Sequence, residues 1–289
     1  MPLADLGDVT IHWREDGDPA GAPVVLAHAL GLDLRMWDAV IPLLPQGLRL
    51  IRYDLRGHGG SSVPPGPYAM GALVRDAERL MDHLGGRDAV FVGLSIGGLI
   101  AQGLAVKRLD LVRALVLSNT AVKIGTAQTW ADRIATVRRG GLAAIEAQTM
   151  ERWFSRKERP APAAQAIRDR LLTTDPEGYI GCAGAIGGTD FITPTSGLTL
   201  PTLVLAGSED GSTPPDLVRE LAQLIKGARF HMIRGAGHLP PVDRPDEFAA
   251  RIAGFLGDIA HADPLPTSPG TCGQDHDRDH HHNGHHHRH

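Results

Sequence analysis

The stretch AVFVGLSIGG at residues 89–98 joins a strand-like segment to a helix-like segment through a turn that contains Ser95. Its first six residues form an apolar run rich in Val and Phe, which is typical of a buried strand. A Gly-x-Ser-x-Gly pattern follows, and then the helix-like segment LIAQGLAVKRL. This arrangement can hold a serine on a strained turn with its hydroxyl exposed, and the glycines two positions before and after would avoid steric collisions. The alternative is a glycine-rich junction with a solvated serine.

Apolar strand-like runs recur along the chain, and most are apolar almost throughout rather than alternating: 9–13, 23–29, 48–55, 89–94, 114–120, 201–207 and 228–235. Continuous apolar character predicts strands that are covered on both faces, as in a parallel sheet. Helical patterns lie between several of these runs, at 35–44, 71–84, 97–109, 216–226 and 246–256. The alternation predicts an α/β fold with a mostly parallel sheet of about eight strands flanked by helices.

The alternation stops between residues 121 and 196, where the pattern is helical or irregular. We therefore expect an α/β core formed by 1–120 and 197–260, with 121–196 as a helical cap over one edge of the sheet. Aromatic residues are rare in this chain, yet the segment holds several of them: Trp130, Trp153, Tyr179 and Phe191. They either form the small core of the cap or line a substrate site.

The C-terminal segment 261–289 has almost no apolar content and is predicted to be a disordered tail. Nine of the fifteen histidines lie in it. Imidazole clusters bind divalent metals, but the spacing here is irregular, so we expect only incidental metal affinity. We keep this tail out of the catalytic hypothesis.

Composition excludes several classes of function. A net charge of −4 and a pI near 6.4 give no electrostatic basis for binding nucleic acid or an anionic membrane. Residues 89–106 carry no charge and approach the length of a membrane span, but their glycines and polar residues favour a buried strand and helix. The two cysteines, Cys182 and Cys272, have no metal or redox spacing, and the N-terminus lacks a signal-peptide pattern. These features predict a cytoplasmic protein.

A serine hydroxyl becomes a good nucleophile when a histidine takes its proton and a carboxylate orients that histidine. Asp210 directly follows the strand-like run 201–207, and His238 follows the run 228–235. The chain order Ser95, Asp210, His238 and the position of each residue after a strand match the order known for serine nucleophiles on such turns. The sequence therefore predicts these three residues as a catalytic triad.

Other residues compete for the same roles. Glu209 is adjacent to Asp210 and could be the acid, while the alternative bases are His28, His58 and His231. His231 lies within a predicted strand, His28 ends one, and His58 lies in a glycine-rich loop that favours a structural hydrogen bond.

Stabilisation of a reaction oxyanion requires two backbone amides that point at one position. We expect one from Ile96, directly after the serine, and the other from Leu30, in the loop after the strand-like run 23–29. The chemistry requires no metal or organic cofactor, and the glycine-rich segment 54–61 lacks the lysine of a phosphate-binding loop.

Five segments resemble the α/β-hydrolase superfamily: HALG (28–31), RYDLRGHGGS (52–61), GLSIGG (93–98), AGSED (206–210) and GAGHLPPVDRPDEF (235–248). A narrower resemblance is to the 3-oxoadipate enol-lactonases, on DLRMWD (33–38), the cap stretch 118–186 with TWADRIATVRRGGL, ERWF (151–154) and TTDPEGYIGCAGAI (173–186). Two segments depart from the usual pattern of that family, namely GHLPP in place of AHLSN and HALG in place of NSLG.

This resemblance implies hydrolysis of 3-oxoadipate enol-lactone, a small lactone with an acetate arm, in aromatic catabolism. Such a substrate needs a cation for its carboxylate, and an arginine can bind both oxygens. Arg133 and Trp130 lie three positions apart on one helix face, so we expect Arg133 to bind the carboxylate and Trp130 to line the ring. Trp153 is a further candidate substrate-binding residue. A solvated Arg133 is the alternative. Another small-substrate hydrolase and a non-catalytic ligand-binding homologue remain competing functions.

Overall fold

The computed structural model describes residues 2–262, and within them eight strands form one sheet. The strands are β1 Leu3–Asp5, β2 Thr10–Gly17, β3 Ala22–Ala27, β4 Leu48–Tyr53, β5 Ala89–Leu94, β6 Val112–Ser118, β7 Thr202–Gly207 and β8 Arg229–Ile233. Their order across the sheet is β1-β2-β4-β3-β5-β6-β7-β8. β2 is antiparallel to β1 and β4, and the other neighbours are parallel. The predicted fold class is confirmed.

Helices connect the strands and flank the sheet. Those of the described residues are α1 Met70–Leu84, α2 Ile96–Lys107, α3 Ala127–Gly140, α4 Glu146–Trp153, α5 Pro162–Thr173, α6 Pro176–Gly187, α7 Ile192–Ser196, α8 Pro215–Leu224, α9 Pro240–Asp243 and α10 Pro245–Asp258. The helices predicted at 71–84, 97–109, 216–226 and 246–256 correspond to α1, α2, α8 and α10, with ends that differ by one or two residues.

The hydrophobic core lies around the central strands. Every residue of β5 and of β7 is buried. α2 contacts β3, β5 and β6 on one side and α1 and α7 on others, so nine of its twelve residues are buried. A helix buried on several sides loses the usual alternation of polar and apolar faces. This burial fixes the start of α2, and with it Ser95, against the sheet.

Five helices, α3 to α7, lie between β6 and β7, in the stretch where the predicted alternation stops. α3 packs against α6, and α4 packs against α5. This group of helices, which we call the cap, supplies the side chains that face the serine turn.

The sequence-based prediction differs from the structure at several places. The helix predicted at 35–44 is two 3₁₀ turns, Leu34–Trp37 and Ile41–Leu43, because the ring of Pro42 disfavours a continuous helix. β1 was missed because it has only three residues at the edge of the sheet. β6 ends at Ser118 rather than at residue 120, because Asn119 has a positive φ of 48°.

His261 belongs to the folded body, although it was assigned to the tail. Its side chain is buried, its Nε2 donates to the carbonyl of Pro23 at 2.9 Å, and its Nδ1 accepts from Arg113 at 2.9 Å. These bonds hold the residues that directly follow α10 against β3 and β6. The predicted tail from residue 263 onward, with its metal affinity, lies outside the described residues.

No helix within residues 2–262 is both long enough and apolar enough to cross a membrane. The uncharged stretch 89–106 is divided between β5 and α2, as the sequence indicated.

Candidate active site

Ser95 lies at the junction of β5 and α2 with φ 58° and ψ −117°, a backbone conformation that is rare for a residue with a side chain. Two hydrogen bonds hold it there. Its amide donates to the carbonyl of Ser118 at 3.1 Å, and the hydroxyl of Thr120 donates to the carbonyl of Ser95 at 2.7 Å. The predicted strained turn is therefore present, and its strain is supported by contacts with the end of β6.

The glycines of the turn are required by close backbone contacts. A Cβ on Gly93 would lie 2.1 Å from the carbonyl oxygen of Gly97, and a Cβ on Gly97 would lie 2.2 Å from the carbonyl oxygen of Ala27 in β3. A Cβ on Gly98 would lie 2.4 Å from a side-chain carbon of Thr120. Since two of these obstacles are backbone atoms, side-chain rotation cannot relieve the collisions. The pattern around Ser95 is thus a packing requirement.

Asp210 and His238 form a hydrogen-bonded pair after β7 and β8. His238 Nδ1 lies 2.9 Å from Asp210 Oδ2, and both side chains are almost fully buried. The Asp210 carboxylate also accepts from the backbone amides of Ser212 at 2.8 Å and Thr213 at 3.0 Å, and from the Thr213 hydroxyl at 2.8 Å. These bonds fix the orientation of the carboxylate toward the imidazole.

Burial acts to raise the pKa of Asp210, but the neighbouring His238 and the hydrogen bonds to the carboxylate outweigh it, so the pKa lies below its ordinary value. Asp210 is therefore ionised at neutral pH. An ionised acceptor at Nδ1 favours the imidazole tautomer with its proton on that nitrogen. Nε2 of His238, which makes no hydrogen bond to any described residue, is then free to accept a proton.

A small cavity brings the serine, the histidine and the cap together. It has a volume of about 100 Å³, and among the residues that line it are Leu30, Ser95, Trp130, Arg133, Trp153 and His238. All three predicted cap residues therefore face the same cavity as the predicted nucleophile and base. Since about 10–15 Å³ of such space is needed to hold one water molecule, the cavity admits a small ligand.

Two amides near Ser95 are available to an oxyanion. Within residues 2–262, the amide N–H groups of Leu30 and Ile96 donate to no protein acceptor. The next amide, that of Gly31, is already used, because it donates to Nε2 of His58 at 2.9 Å. Gly31 has a positive φ of 85°, which the loop after β3 needs to make this turn.

The alternative bases have structural roles. His28 Nε2 accepts from the amide of Leu55 at 3.0 Å, and His58 Nδ1 lies 3.1 Å from the carbonyl of Arg56. Burial lowers the pKa of His28, and burial lowers that of His58 to about 3, so both are neutral. His231 contacts the partly buried carboxylate of Glu247 on α10 instead of the cavity.

Glu209, the alternative acid, is exposed, and only its backbone amide is hydrogen-bonded, to the carbonyl of Ala236 at 2.8 Å. The geometry therefore favours Asp210 over Glu209.

The end of α4 is bound to both loops that carry the pair. The amide of His238 donates to the carbonyl of Trp153 at 2.8 Å, and the amide of Gly211 donates to the carbonyl of Arg152 at 2.9 Å. The Trp153 ring stacks on the His238 imidazole, with centroids 6.2 Å apart and planes at 23°. A Cβ on Gly237 would lie 2.1 Å from the carbonyl oxygen of Trp153, so glycine is needed there. The cap thus holds His238 directly.

Arg133 and Trp130 form a pair on α3. The guanidinium carbon of Arg133 lies 4.2 Å from the centroid of the Trp130 ring, and the indole nitrogen donates to the carbonyl of Ile124 at 2.7 Å. This stacking holds the flexible arginine side chain beside the cavity. The predicted shared helix face is therefore present.

The alpha/beta hydrolase family matches residues 24–251, which include every predicted triad and oxyanion residue. The strand order, the turn at Ser95, and the positions of Asp210 after β7 and His238 after β8 agree with this match. The chain belongs to the alpha/beta hydrolase family.

Similar proteins of this hydrolase family act on esters and lactones. The chain is 32% identical over 243 residues to 3-oxoadipate enol-lactonase 2 of Acinetobacter baylyi, which covers 83% of this chain and 91% of that protein. The enol-lactonase from Burkholderia xenovorans LB400 superposes with a TM-score of 0.85 at 37% identity, over 88% of this chain and 99% of that one. A thermophilic esterase from Thermogutta terrifontis, solved with malate bound, has a TM-score of 0.81 at 31% identity, over 89% and 96%.

The sequence-based prediction did not include two residues of the hydrolase site, Asn119 and Arg152. Asn119 donates to Asp210 Oδ2 at 3.0 Å and to the carbonyl of Gly237 at 3.1 Å, so it connects the two loops of the pair. The sequence indicates such a role, because Asn119 directly follows the buried strand β6, at the same edge of the sheet as Asp210 and His238. Arg152 lines the cavity from α4. Nothing in the local pattern distinguishes it from a solvated helix arginine.

Asp243 supports the loop before His238 from α9. Its Oδ2 accepts from the amide of Gly237 at 2.8 Å, while its Oδ1 is buried without a partner among the described residues. Burial raises the pKa of Asp243 to about 6, against the lowering effects of the Gly237 amide and Arg244 and with a smaller raising effect of Glu158. This carboxyl group therefore titrates near neutral pH.

Within residues 2–262, no group of three or more histidine, cysteine, aspartate or glutamate side chains is placed to hold a metal ion.

Replacing Gly97 tests the packing of the serine turn. We expect Gly97→Ala to lower the free energy of unfolding by about 1–3 kcal/mol, because the new Cβ collides with β3. Gly254→Ala is the matched control: it lies exposed in α10 with nothing within 4 Å of the added Cβ, and should raise stability. That gain is about 0.5–1 kcal/mol from helix propensity. Urea unfolding measures both, and equal effects would contradict the packing requirement.

The raised pKa of Asp243 predicts that the free energy of unfolding depends on pH. Between its ordinary pKa of 3.8 and its folded value of about 6, the folded protein holds a proton that the unfolded chain has released. Its contribution to stability is therefore lost as the pH rises through that window. Relative to wild type, Asp243→Asn should gain about 1–3 kcal/mol between pH 4 and pH 7. Unfolding at several pH values measures the difference. Asp132→Asn, at an exposed carboxylate, is the control, and an equal pH trend for both variants would refute the prediction.

Proposed function

We propose that this hydrolase opens a small enol-lactone that carries a carboxylate, with 3-oxoadipate enol-lactone plus water giving 3-oxoadipate as the reaction. One observation carries the proposal. The strained Ser95, the Asp210-bound His238 and Arg133 are brought together at one small cavity, which Ser95, His238 and Arg133 line. An enol-lactone with an acetate arm is a small molecule with one negative charge.

The first half-reaction forms an acyl-enzyme. The Ser95 hydroxyl attacks the lactone carbonyl while His238 Nε2 takes its proton, and ionised Asp210 stabilises the imidazolium through Nδ1. The amide N–H groups of Leu30 and Ile96 donate hydrogen bonds to the oxyanion of the tetrahedral intermediate. Each such donor lowers the barrier by about 3 kcal/mol in other hydrolases.

Collapse of the intermediate breaks the ring C–O bond. The leaving oxygen is that of an enol, which receives the proton from His238 and tautomerises to a ketone. Because the lactone is cyclic, both parts of the product stay attached to the serine as one acyl group. A water molecule, deprotonated by His238, then attacks the ester carbonyl and releases the acid, and the serine regains its proton.

Arg133 supplies the cation for the acetate arm of the lactone. It is half-buried beside Trp130, forms no ion pair within the described residues, and faces the cavity. A planar guanidinium can bind both oxygens of a carboxylate, and the apolar rings of Trp130 and Trp153 suit the ring of the lactone.

The relatives support this substrate. The enol-lactonases of Acinetobacter baylyi and Burkholderia xenovorans are 32% and 37% identical to this chain over most of its length. Such a reaction belongs to the cytoplasmic breakdown of aromatic compounds. Hydrolysis of small carboxylate-bearing esters is the second candidate, supported by the similarity to the malate-bound esterase. A panel that compares the enol-lactone with open-chain esters distinguishes the two.

Substitutions of Asp210 and Ser95 test the proposed mechanism. Asp210→Asn should reduce kcat on the enol-lactone by about 10⁴-fold, because the imidazole loses its tautomer and its counter-charge. Ser95→Ala should reduce it at least as far. Glu209→Gln is the matched control next to Asp210, and we expect it to keep wild-type activity. Ultraviolet absorbance of the lactone follows the reaction, and substantial turnover by Ser95→Ala would contradict the mechanism.

Arg133 is tested with a charged and an uncharged substrate. Arg133→Met should lower kcat/KM for the enol-lactone by about 10–100-fold, since a charge-assisted hydrogen-bonded contact of about 1.5–3 kcal/mol is lost. It should change kcat/KM for p-nitrophenyl acetate much less. Arg139→Met, at an exposed arginine of the same helix, provides the control. An equal loss on both substrates would show that Arg133 does not bind the carboxylate.

A further inference from the structure

Arg152 places a second guanidinium at the cavity. It lies in the last turn of α4, next to Trp153, and lines the same cavity as Ser95, Arg133 and His238. Its backbone is fixed, because its carbonyl accepts from the amide of Gly211 at 2.9 Å. A Cβ on Gly211 would lie 3.0 Å from the Cα of Arg152, so the two segments are in close contact. The backbone of Arg152 is therefore fixed at the wall of the cavity.

The two cavity arginines differ from the other buried arginines of the chain. Arg52 pairs with Asp38, and Arg56 lies 2.6 Å from Asp76. In the described part of the chain, neither Arg133 nor Arg152 forms an ion pair with any carboxylate. A partly buried cation without a counter-ion is costly, and the cost here is incurred twice at one small cavity.

No protein group at the cavity compensates these charges. Burial lowers the pKa of Arg152, and the positive charge of Arg133 lowers it further. The Tyr179 hydroxyl lies beside both guanidiniums, but burial raises its pKa, so it stays a neutral phenol. The Asp210 carboxylate is already used by His238 and four other donors. The two guanidiniums therefore offer a binding site for a negatively charged ligand.

We propose that Arg152 forms a second anion subsite, so that the cavity binds the short dicarboxylate formed by hydrolysis more tightly than a monocarboxylate. This proposal rests on the proposed function and deepens it. A lactone with one acetate arm carries one negative charge, which Arg133 binds. Hydrolysis converts the acyl carbon at Ser95 into a second carboxylate and raises the charge of the ligand from one to two.

Arg152 therefore acts on the charge that the reaction creates. It attracts the new carboxylate after the serine ester is cleaved, and two guanidiniums then bind one dianion. The substrate class that follows is lactones and small esters whose hydrolysis yields a short dicarboxylate. Dicarboxylates of about six carbons should accordingly bind more tightly than the matched monocarboxylates and inhibit the enzyme as its product does.

Calorimetric titration of the wild-type enzyme with adipate and with hexanoate tests the proposal without any turnover. The two ligands have the same chain length and differ by one carboxylate. We expect adipate to bind at least about tenfold more tightly, as charge-assisted contacts to a guanidinium allow. Arg152→Met should bring the ratio of the two dissociation constants close to one, Arg152→Lys should keep part of it, and Arg156→Met, at an exposed arginine nearby, should keep all of it.

Two results would overturn the proposal: equal affinity of the wild-type enzyme for the two acids, or an unchanged ratio in Arg152→Met. If Arg152→Met does not fold, the ratio in Arg152→Lys decides, since this variant keeps the charge and loses the planar fork. Failure of the proposed function gives a different result, namely no turnover of the enol-lactone by a wild-type enzyme that still discriminates adipate from hexanoate.

Discussion

The close approach of the α2 start to β3 is the constraint on which the rest of the site depends. Gly97 meets the carbonyl of Ala27 without room for a side chain, and this contact holds Ser95 at a backbone conformation that it would otherwise avoid. Burial of α2 on several sides supplies the free energy that sustains this strain. Loosening the contact would move the serine hydroxyl and the Ile96 amide together, because both belong to the same turn.

The histidine side of the site depends on the cap as much as on the sheet. Asn119 and Asp210 bind the loop of His238 from the edge of the sheet, and Asp243 binds it from α9. The carbonyl of Trp153 accepts from the amide of His238 on the cap side. Parallel strands place their carboxyl ends on one edge, which explains why residues distant in sequence converge there. The cap therefore completes the geometry around His238 as well as covering the cavity.

Much of the fold and of the candidate site was predictable from the sequence, because its signals are local. The strand–serine–helix pattern and the positions of Asp210 and His238 after buried strands follow from short-range chemistry and chain order. The cavity arginine Arg152 was not predictable, since its role depends on where α4 packs and not on its neighbours in sequence. The helix predicted at 35–44 failed because apolar periodicity outweighed Pro42, and His261 was missed because its partners lie on distant strands.

The hydrogen bond between the carbonyl of Trp153 and the amide of His238 restricts how a ligand can enter or leave the cavity. If α4 moved outward to admit a ligand, it would pull His238 with it and break the stacking of Trp153 on the imidazole. Access to the cavity and the orientation of the proposed base are therefore coupled through one backbone hydrogen bond.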